Sequence, residues 1–116
     1  NKVTTFYGAN LEQKNYNGAA YENLVTINLP KGKYLITFNF LAKTTNQWMY
    51  IYFGQGGSIL QNSGFYTPST TYFIPYTLRK IHTVSQESEL VSFTTYCANS
   101  YPVVVRNAIV TAKSIE

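Results

Sequence analysis

The sequence predicts an all-β chain folded as an antiparallel β-sandwich. Three observations carry this prediction. Short stretches alternate apolar and polar residues with a period of two. Gly, Pro, Asn and Ser signals break the chain about every ten residues. No stretch carries a clean helical repeat. The pattern fits a sandwich or a barrel of seven to nine short strands, roughly the strand count of such folds.

The elements follow in order. Val3–Tyr7 reads as a short first strand, and Asn15-Tyr16-Asn17-Gly18 as a turn. Glu22–Leu29 alternates and predicts a strand. Leu29-Pro30-Lys31-Gly32 has the chemistry of a type I turn, with Pro at the second position and Gly at the fourth. Lys33–Lys43 is the centre of the chain. Tyr34, Ile36, Phe38, Phe40 and Ala42 make an unbroken apolar stripe, while Leu35, Thr37, Asn39 and Leu41 make a mixed one.

Thr44–Gln47 reads as a polar loop. Trp48–Phe53 is a strand with Trp48, Tyr50 and Tyr52 on one face and Met49, Ile51 and Phe53 on the other. Gly54–Gly57 is a flexible turn, Ser58–Gln61 a short return strand, and Asn62–Thr71 a loop. Thr71–Ile74 is a strand stopped by Pro75, and Leu78–Val84 a weaker strand. Ser85–Ser88 is polar, Glu89–Tyr96 is β-branched and aromatic, and Ala98–Ser100 is a turn. Tyr101–Val105 reads as an edge strand because Pro102 lacks an amide proton. Asn107–Ile115 is the last strand.

At 116 residues this is a single domain, residues 1–116, with enough chain for a core of its own. Asn1 in place of Met suggests a piece of a longer chain. Aromatic residues make up 16%, eleven of them Tyr, and only 12% is charged. All five acids are Glu. Polarity therefore comes from Asn, Gln, Ser and Thr, which suit neutral hydrogen-bonding partners. The net charge of +4 is spread along the chain without a polybasic cluster, which argues against nucleic acid as a partner. No apolar run approaches the roughly 18 residues of a membrane span, so membrane insertion is not expected.

Some of these features resemble a known family when taken together. They are the Leu29-Pro30-Lys31-Gly32-Lys33-Tyr34 lead into a long aromatic strand, and Ile51-Tyr52-Phe53-Gly54 ending in a Gly-rich turn. A late Val91-Ser92-Phe93 strand and the small-residue strand Asn107–Ile115 complete the set. Over residues 22–116 this order resembles the trimeric jelly rolls of the C1q and tumour-necrosis-factor family. Shortened forms of that family occur at the tips of bacterial surface fibres and of phage tail fibres or receptor-binding proteins. Many such heads carry a Gly-Asp turn where this chain has Gln86-Glu87-Ser88-Glu89. The resemblance implies a jelly roll, a homotrimer, an extracellular or virion-surface location, and partner binding without catalysis. Fold alone does not fix function.

The inventory for chemistry is thin. His82 is the one imidazole, Cys97 the one thiol, and Asp is absent. The expectation is an exposed or interfacial His82, a structural Cys97, and a solvated edge at Glu87 and Glu89. No metal-ligand spacing and no phosphate loop is present, so no cofactor or metal is expected.

The Trp48 face needs a cover, either a second subunit or a ligand. The candidate ligand-binding residues are Asn46, Gln47, Trp48, Asn62, Tyr66 and Tyr72, on loops and beside the aromatic strand. Arg79 or Lys80 would serve an anionic glycan, and Tyr96–Tyr101 is the fallback location. Aromatic rings suit the apolar faces of sugars, and Asn and Gln suit their hydroxyls. The expected function is a non-enzymatic trimeric head that binds a cell-surface receptor or glycan. Its three-fold axis would be lined by Trp48–Phe53 and the final strand. A purely structural trimerisation cap and a single-stranded nucleic-acid-binding barrel remain as alternatives.

Overall fold

The computed structural model describes residues 4–8, 11–17, 21–44, 47–55, 58–67, 72–97 and 102–115, with side chains at 4–8, 24–44, 51–54, 72–96 and 103–115. Seven strands form there: β1 (Thr5–Tyr7), β2 (Leu11–Asn17), β3 (Tyr21–Thr44), β4 (Gln47–Gln55), β5 (Ser58–Thr67), β6 (Ile74–Cys97) and β7 (Pro102–Ser114). Their hydrogen-bonded order is β1-β7-β3-β6-β4-β5, with β2 also on β7, and every pairing is antiparallel.

The spine is the pair of 24-residue strands β3 and β6. They stay paired from Tyr21↔Tyr96 to Ala42↔Ile74, with a one-residue shift between Asn23↔Thr94 and Val25↔Phe93 and a larger break between Pro30↔Ser88 and Gly32↔Val84. There, Lys31 on β3 faces Ser85, Gln86 and Glu87 on β6. Unequal residue counts on paired strands bend the ladder. The sheet folds over at this corner into two layers. The first contains residues 21–30 of β3, residues 88–97 of β6, β4 and β5. The second contains residues 32–44 of β3, residues 74–84 of β6, β7, β1 and β2.

Contacts between residues far apart along the ladders show the layers facing each other. Phe38 of the second layer stacks on Phe93 of the first, with ring centroids 4.6 Å apart. Phe53 of β4 meets the His82 ring edge-on at 5.0 Å. Gly8, at the end of β1, lies between the layers. A Cβ there would collide with Val110 Cγ1 and approach the Thr26 carbonyl at 3.1 Å.

The buried stripe of β3 is the predicted one: Tyr34, Ile36, Phe38, Phe40 and Ala42. Val25, Ile27, Leu29, Ile51, Phe53, Val91 and Phe93 cover it from the first layer, and β7 adds Val103, Val105, Ala108, Val110 and Ala112. The buried positions of β7 change parity between Val105 and Ala108. A bulge opposite Asn39 and Leu41 absorbs the change, with Asn107 at φ 56°. Asn tolerates this left-handed conformation better than most residues.

Several sequence expectations need correction. Pro30-Lys31-Gly32 does not form a turn between two strands; it is the corner inside one strand. The Tyr34 hydroxyl donates to the Pro30 carbonyl at 2.7 Å, and a Cβ on Gly32 would stand 3.1 Å from that hydroxyl. The Pro-x-Gly-x-Tyr motif is thus a clasp on the corner. Ser85–Ser88 also runs on within β6. Pro75 does not stop its strand: among the described residues, 74–84 pair only with β3, and a strand with one unpaired edge tolerates a residue without an amide proton. Pro102–Val105 and Asn107–Ser114 of the two predicted strands join as one strand, β7, paired on both sides, while Tyr101 lies outside the described residues, and Asn15–Asn17 belongs to β2.

Candidate functional site: an aromatic face on the first layer

Strand alternation and register together define the outward face of the first layer. Its inward rungs carry Val25, Phe93 and Phe53, all buried in the core. The rungs of opposite parity read Tyr21–Tyr96–Tyr50–Gly64 and Asn23–Thr94–Tyr52–Asn62. Beyond them Trp48 faces Tyr66. Paired residues share a face, so these positions form one patch across four strands. At roughly 4.8 Å between strands and about 3.4 Å per residue, it measures about 14 Å in each direction.

Within the patch Tyr52 and Tyr96 are half-buried, and Thr94, in the middle of its rung, is only 8% exposed. No Lys, Arg or Glu occupies either four-residue rung. By residue type the positions of the patch are aromatic, hydroxyl-bearing, amide-bearing or Gly, and none is charged. Such groups match a ligand with alternating apolar and hydroxyl surface.

The predicted residues distribute unevenly over this geometry. Trp48, Asn62 and Tyr66 come together on it. Asn62 and Tyr66 do so from strand β5, because the predicted loop is paired with β4 as far as Thr67. Gln47 pairs with Thr67 and has the opposite parity to Trp48, so it belongs to the other face. Tyr72 is 65% exposed, just before the second-layer half of β6, and no pairing joins it to the patch. Asn46 lies outside the described residues.

Sequence reasoning missed Tyr21, Asn23 and Thr94, and left Tyr96 to a fallback. The alternation Trp48-x-Tyr50-x-Tyr52 was the available signal, and the neighbouring strands were not identifiable without the pairing. Arg79 and Lys80 do not serve this face. Both lie in the second layer, and the Lys80 ammonium turns inward to lie 5.2 Å from the Phe53 ring centroid.

The candidate chemical groups lie elsewhere. His82 is not exposed: its Nε2 is 2.6 Å from Glu89 Oε1, with the two side chains 10% and 5% exposed. Glu89 is therefore not on a solvated edge, although Glu87 is exposed. The pair ties the two halves of β6 across the corner, which is what a buried carboxylate needs. Cys97 ends β6 opposite Met49. Among the described residues no three His, Cys, Asp or Glu gather as a metal site.

The outward face of the second layer is different. Rungs Ile81–Leu35–Lys113 and Arg79–Thr37–Thr111–Tyr7 cross it, with Ile81, Tyr7 and Ile109 exposed. Phe73 lies under two cations, Arg106 at 4.1 Å and Lys43 at 5.2 Å. Strands β4 and β7, the pair expected to line a common axis, are in opposite layers.

No family model and no curated protein matches the chain. Solved structures do match its fold. The Eiger tumour-necrosis factor of S. frugiperda superposes with a TM-score of 0.65 at 6% identity, over 98% of this chain and 93% of that one. The insecticidal delta-endotoxin Cry8Ea1 of Bacillus thuringiensis gives 0.56 at 14% identity, over 90% of this chain and 20% of the endotoxin. TmCBM61, in complex with β-1,4-galactotriose, gives 0.50 at 8% identity, over 93% and 86%. At these identities the likeness establishes the fold alone: an all-β, antiparallel, jelly-roll-like chain.

Proposed function

We propose that this chain is a non-enzymatic, homotrimeric binding head that holds a neutral cell-surface glycan on the outward face of its first layer. One observation carries the reading: the register assembles Trp48, Tyr66, Tyr50, Tyr96, Tyr21, Tyr52, Asn62 and Asn23 on one uncharged face. Aromatic rings stack on the C–H faces of pyranoses, and the amides and hydroxyls between them reach the equatorial hydroxyls. A fold shared with TmCBM61, whose structure holds β-1,4-galactotriose, supports the same reading. The partner is presented outside a cell, and the head sits on a cell or virion surface. Nucleic acid has no counterpart in the uncharged rungs, since its binding needs lysines or arginines along the groove.

The trimer is assigned to the second layer. Its outward face exposes Ile81, Tyr7 and Ile109, and burying them against further copies removes apolar surface from water. This leaves the aromatic face free on the outside of the assembly.

A glycan array tests the reading, followed by Trp48→Ala and Tyr66→Ala on the best binder. Each is expected to weaken binding on the order of tenfold or more, as for a central aromatic anchor. Binding that survives both changes at full affinity would refute the site. A protein that trimerises and binds no glycan would be the structural cap instead. Light scattering reads the oligomer, and Ile81→Glu should reduce it to monomer.

A further inference from the structure

The corner that folds the sheet has a second consequence, independent of the aromatic face. Beside the break in register, where Lys31 meets the start of the Gly32↔Val84 and Lys33↔Thr83 pairing, the surface holds an open cleft of about 570 Å³. That volume falls in the roughly 300–1,000 Å³ range of small-molecule sites. Lys31, Gly32, Lys33, Thr83, Val84 and Ser85 line it. Val84, 1% exposed, turns its side chain into the core and anchors the cleft from below, and Gly32 leaves the backbone open to approach. Thr83 and Ser85 are exposed hydroxyls, and Lys33 is half-buried beside the exposed Lys31.

The charge here is one-sided. Two lysines line the cleft, and among the described residues no carboxylate does. Glu87, in the same bulge, is not among the lining residues, and Glu89 is held by His82 on the interior side. Among the described residues neither Lys31 nor Lys33 is in an ion pair. The frame is fixed from two directions: Tyr34 is bonded to the Pro30 carbonyl, and the Ile115 amide donates to the Lys33 carbonyl at 3.0 Å. Two lysines and two hydroxyls in one cleft match an oxyanion carried on a small polar body.

We infer that the corner cleft binds an acidic sugar, with its carboxylate or sulfate between Lys31 and Lys33 and its ring hydroxyls against Thr83 and Ser85. The test is an amide NMR titration with sialyllactose, with lactose and inorganic sulfate as separate arms. Saturable shifts at residues 31–33 and 83–85 with sialyllactose, absent with lactose, are the expected result. Lys31→Gln and Lys33→Gln should each weaken that binding roughly tenfold, with unchanged thermal melts, and added salt should weaken it further. Absence of shifts at the corner would overturn the inference. Shifts that persist undiminished in both variants would do the same. Sulfate binding as tightly as sialyllactose would reduce the cleft to a simple anion site and overturn the sugar assignment. Neutral-glycan binding is read separately at the amides of 48–52 and 62–66, so failure of one site leaves the other standing.

Discussion

Replacing Tyr34 by Phe removes one hydroxyl from the clasp at the corner and leaves the ring in place. Tyr34 is 2% exposed and packs edge-on against Phe6 at 5.8 Å, a contact that Phe preserves. What is lost is the 2.7 Å bond to the Pro30 carbonyl. A net hydrogen bond is worth about 0.5–1.5 kcal/mol, and an orphaned buried acceptor costs more. Pro30 is exposed, so water reaches its carbonyl and the cost stays near 1 kcal/mol. For a chain of this length that lowers Tm by roughly 3–6 °C. The cost also depends on pH. Burial raises the Tyr34 pKa above its ordinary value of 10.0. The phenol's contribution is therefore complete below pH 10 and is lost as the pH climbs through its folded pKa, because the unfolded chain ionises first. The variant has no such group. Its deficit should be full at pH 7 and shrink above pH 10. Urea denaturation at both pH values measures this. Equal stability of the two proteins at pH 7, or a deficit unchanged at high pH, would refute the assignment of the clasp.

Three further changes probe the fold. Phe38→Ala removes a fully buried ring that stacks on Phe93 and Phe40, and should cost about 3–5 kcal/mol by urea denaturation. Gly8→Val drives a side chain into Val110 between the layers, and should lower stability by about 1–3 kcal/mol; an unchanged melt would show that β1 is not held there. His82→Ala leaves the buried Glu89 without its imidazole partner and should destabilise the chain by about 3 kcal/mol. Glycan affinity measured on the folded fraction should stay unchanged, because neither residue lies on the aromatic face.

The core was legible in the sequence where burial follows strand period. The five-residue stripe from Tyr34 to Ala42 is buried as its alternation predicts, and Ala108, Val110 and Ala112 are buried opposite Ile109 and Thr111. What was not legible depends on partners distant along the chain. Asn62-Ser63-Gly64 has the composition of a loop, yet pairing with β4 holds it extended; tertiary pairing outweighs weak strand preference. Pro30-Lys31-Gly32 has the composition of a turn, and the bend is real. Its sense was misread because turn chemistry does not reveal that β6 bends beside it. Glu89 looked solvated because its partner His82 is brought back only by that bend.

The same limit applies to the candidate binding residues, which the sequence assigns to loops. A loop is the usual place for recognition on a rigid sandwich, and loop-like composition marked Asn62 and Tyr66. The structure puts them on strand rungs, and this changes the energetics of the proposed site. Positions on paired strands are fixed by the ladder, so less backbone freedom is lost on binding than on a loop that must order. The rungs also impose a metric. Aromatic positions recur at about 4.8 Å across strands and about 6.8 Å along them, so the patch selects ligands by the spacing of their apolar faces. Charge then divides the two proposed sites. The rungs of the first layer carry none, whereas the corner carries two lysines with no lining carboxylate. A neutral glycan gains nothing from the corner, and an acidic sugar gains no ion pair on the aromatic face. Salt should therefore weaken binding at the corner and leave binding at the aromatic rungs nearly unchanged.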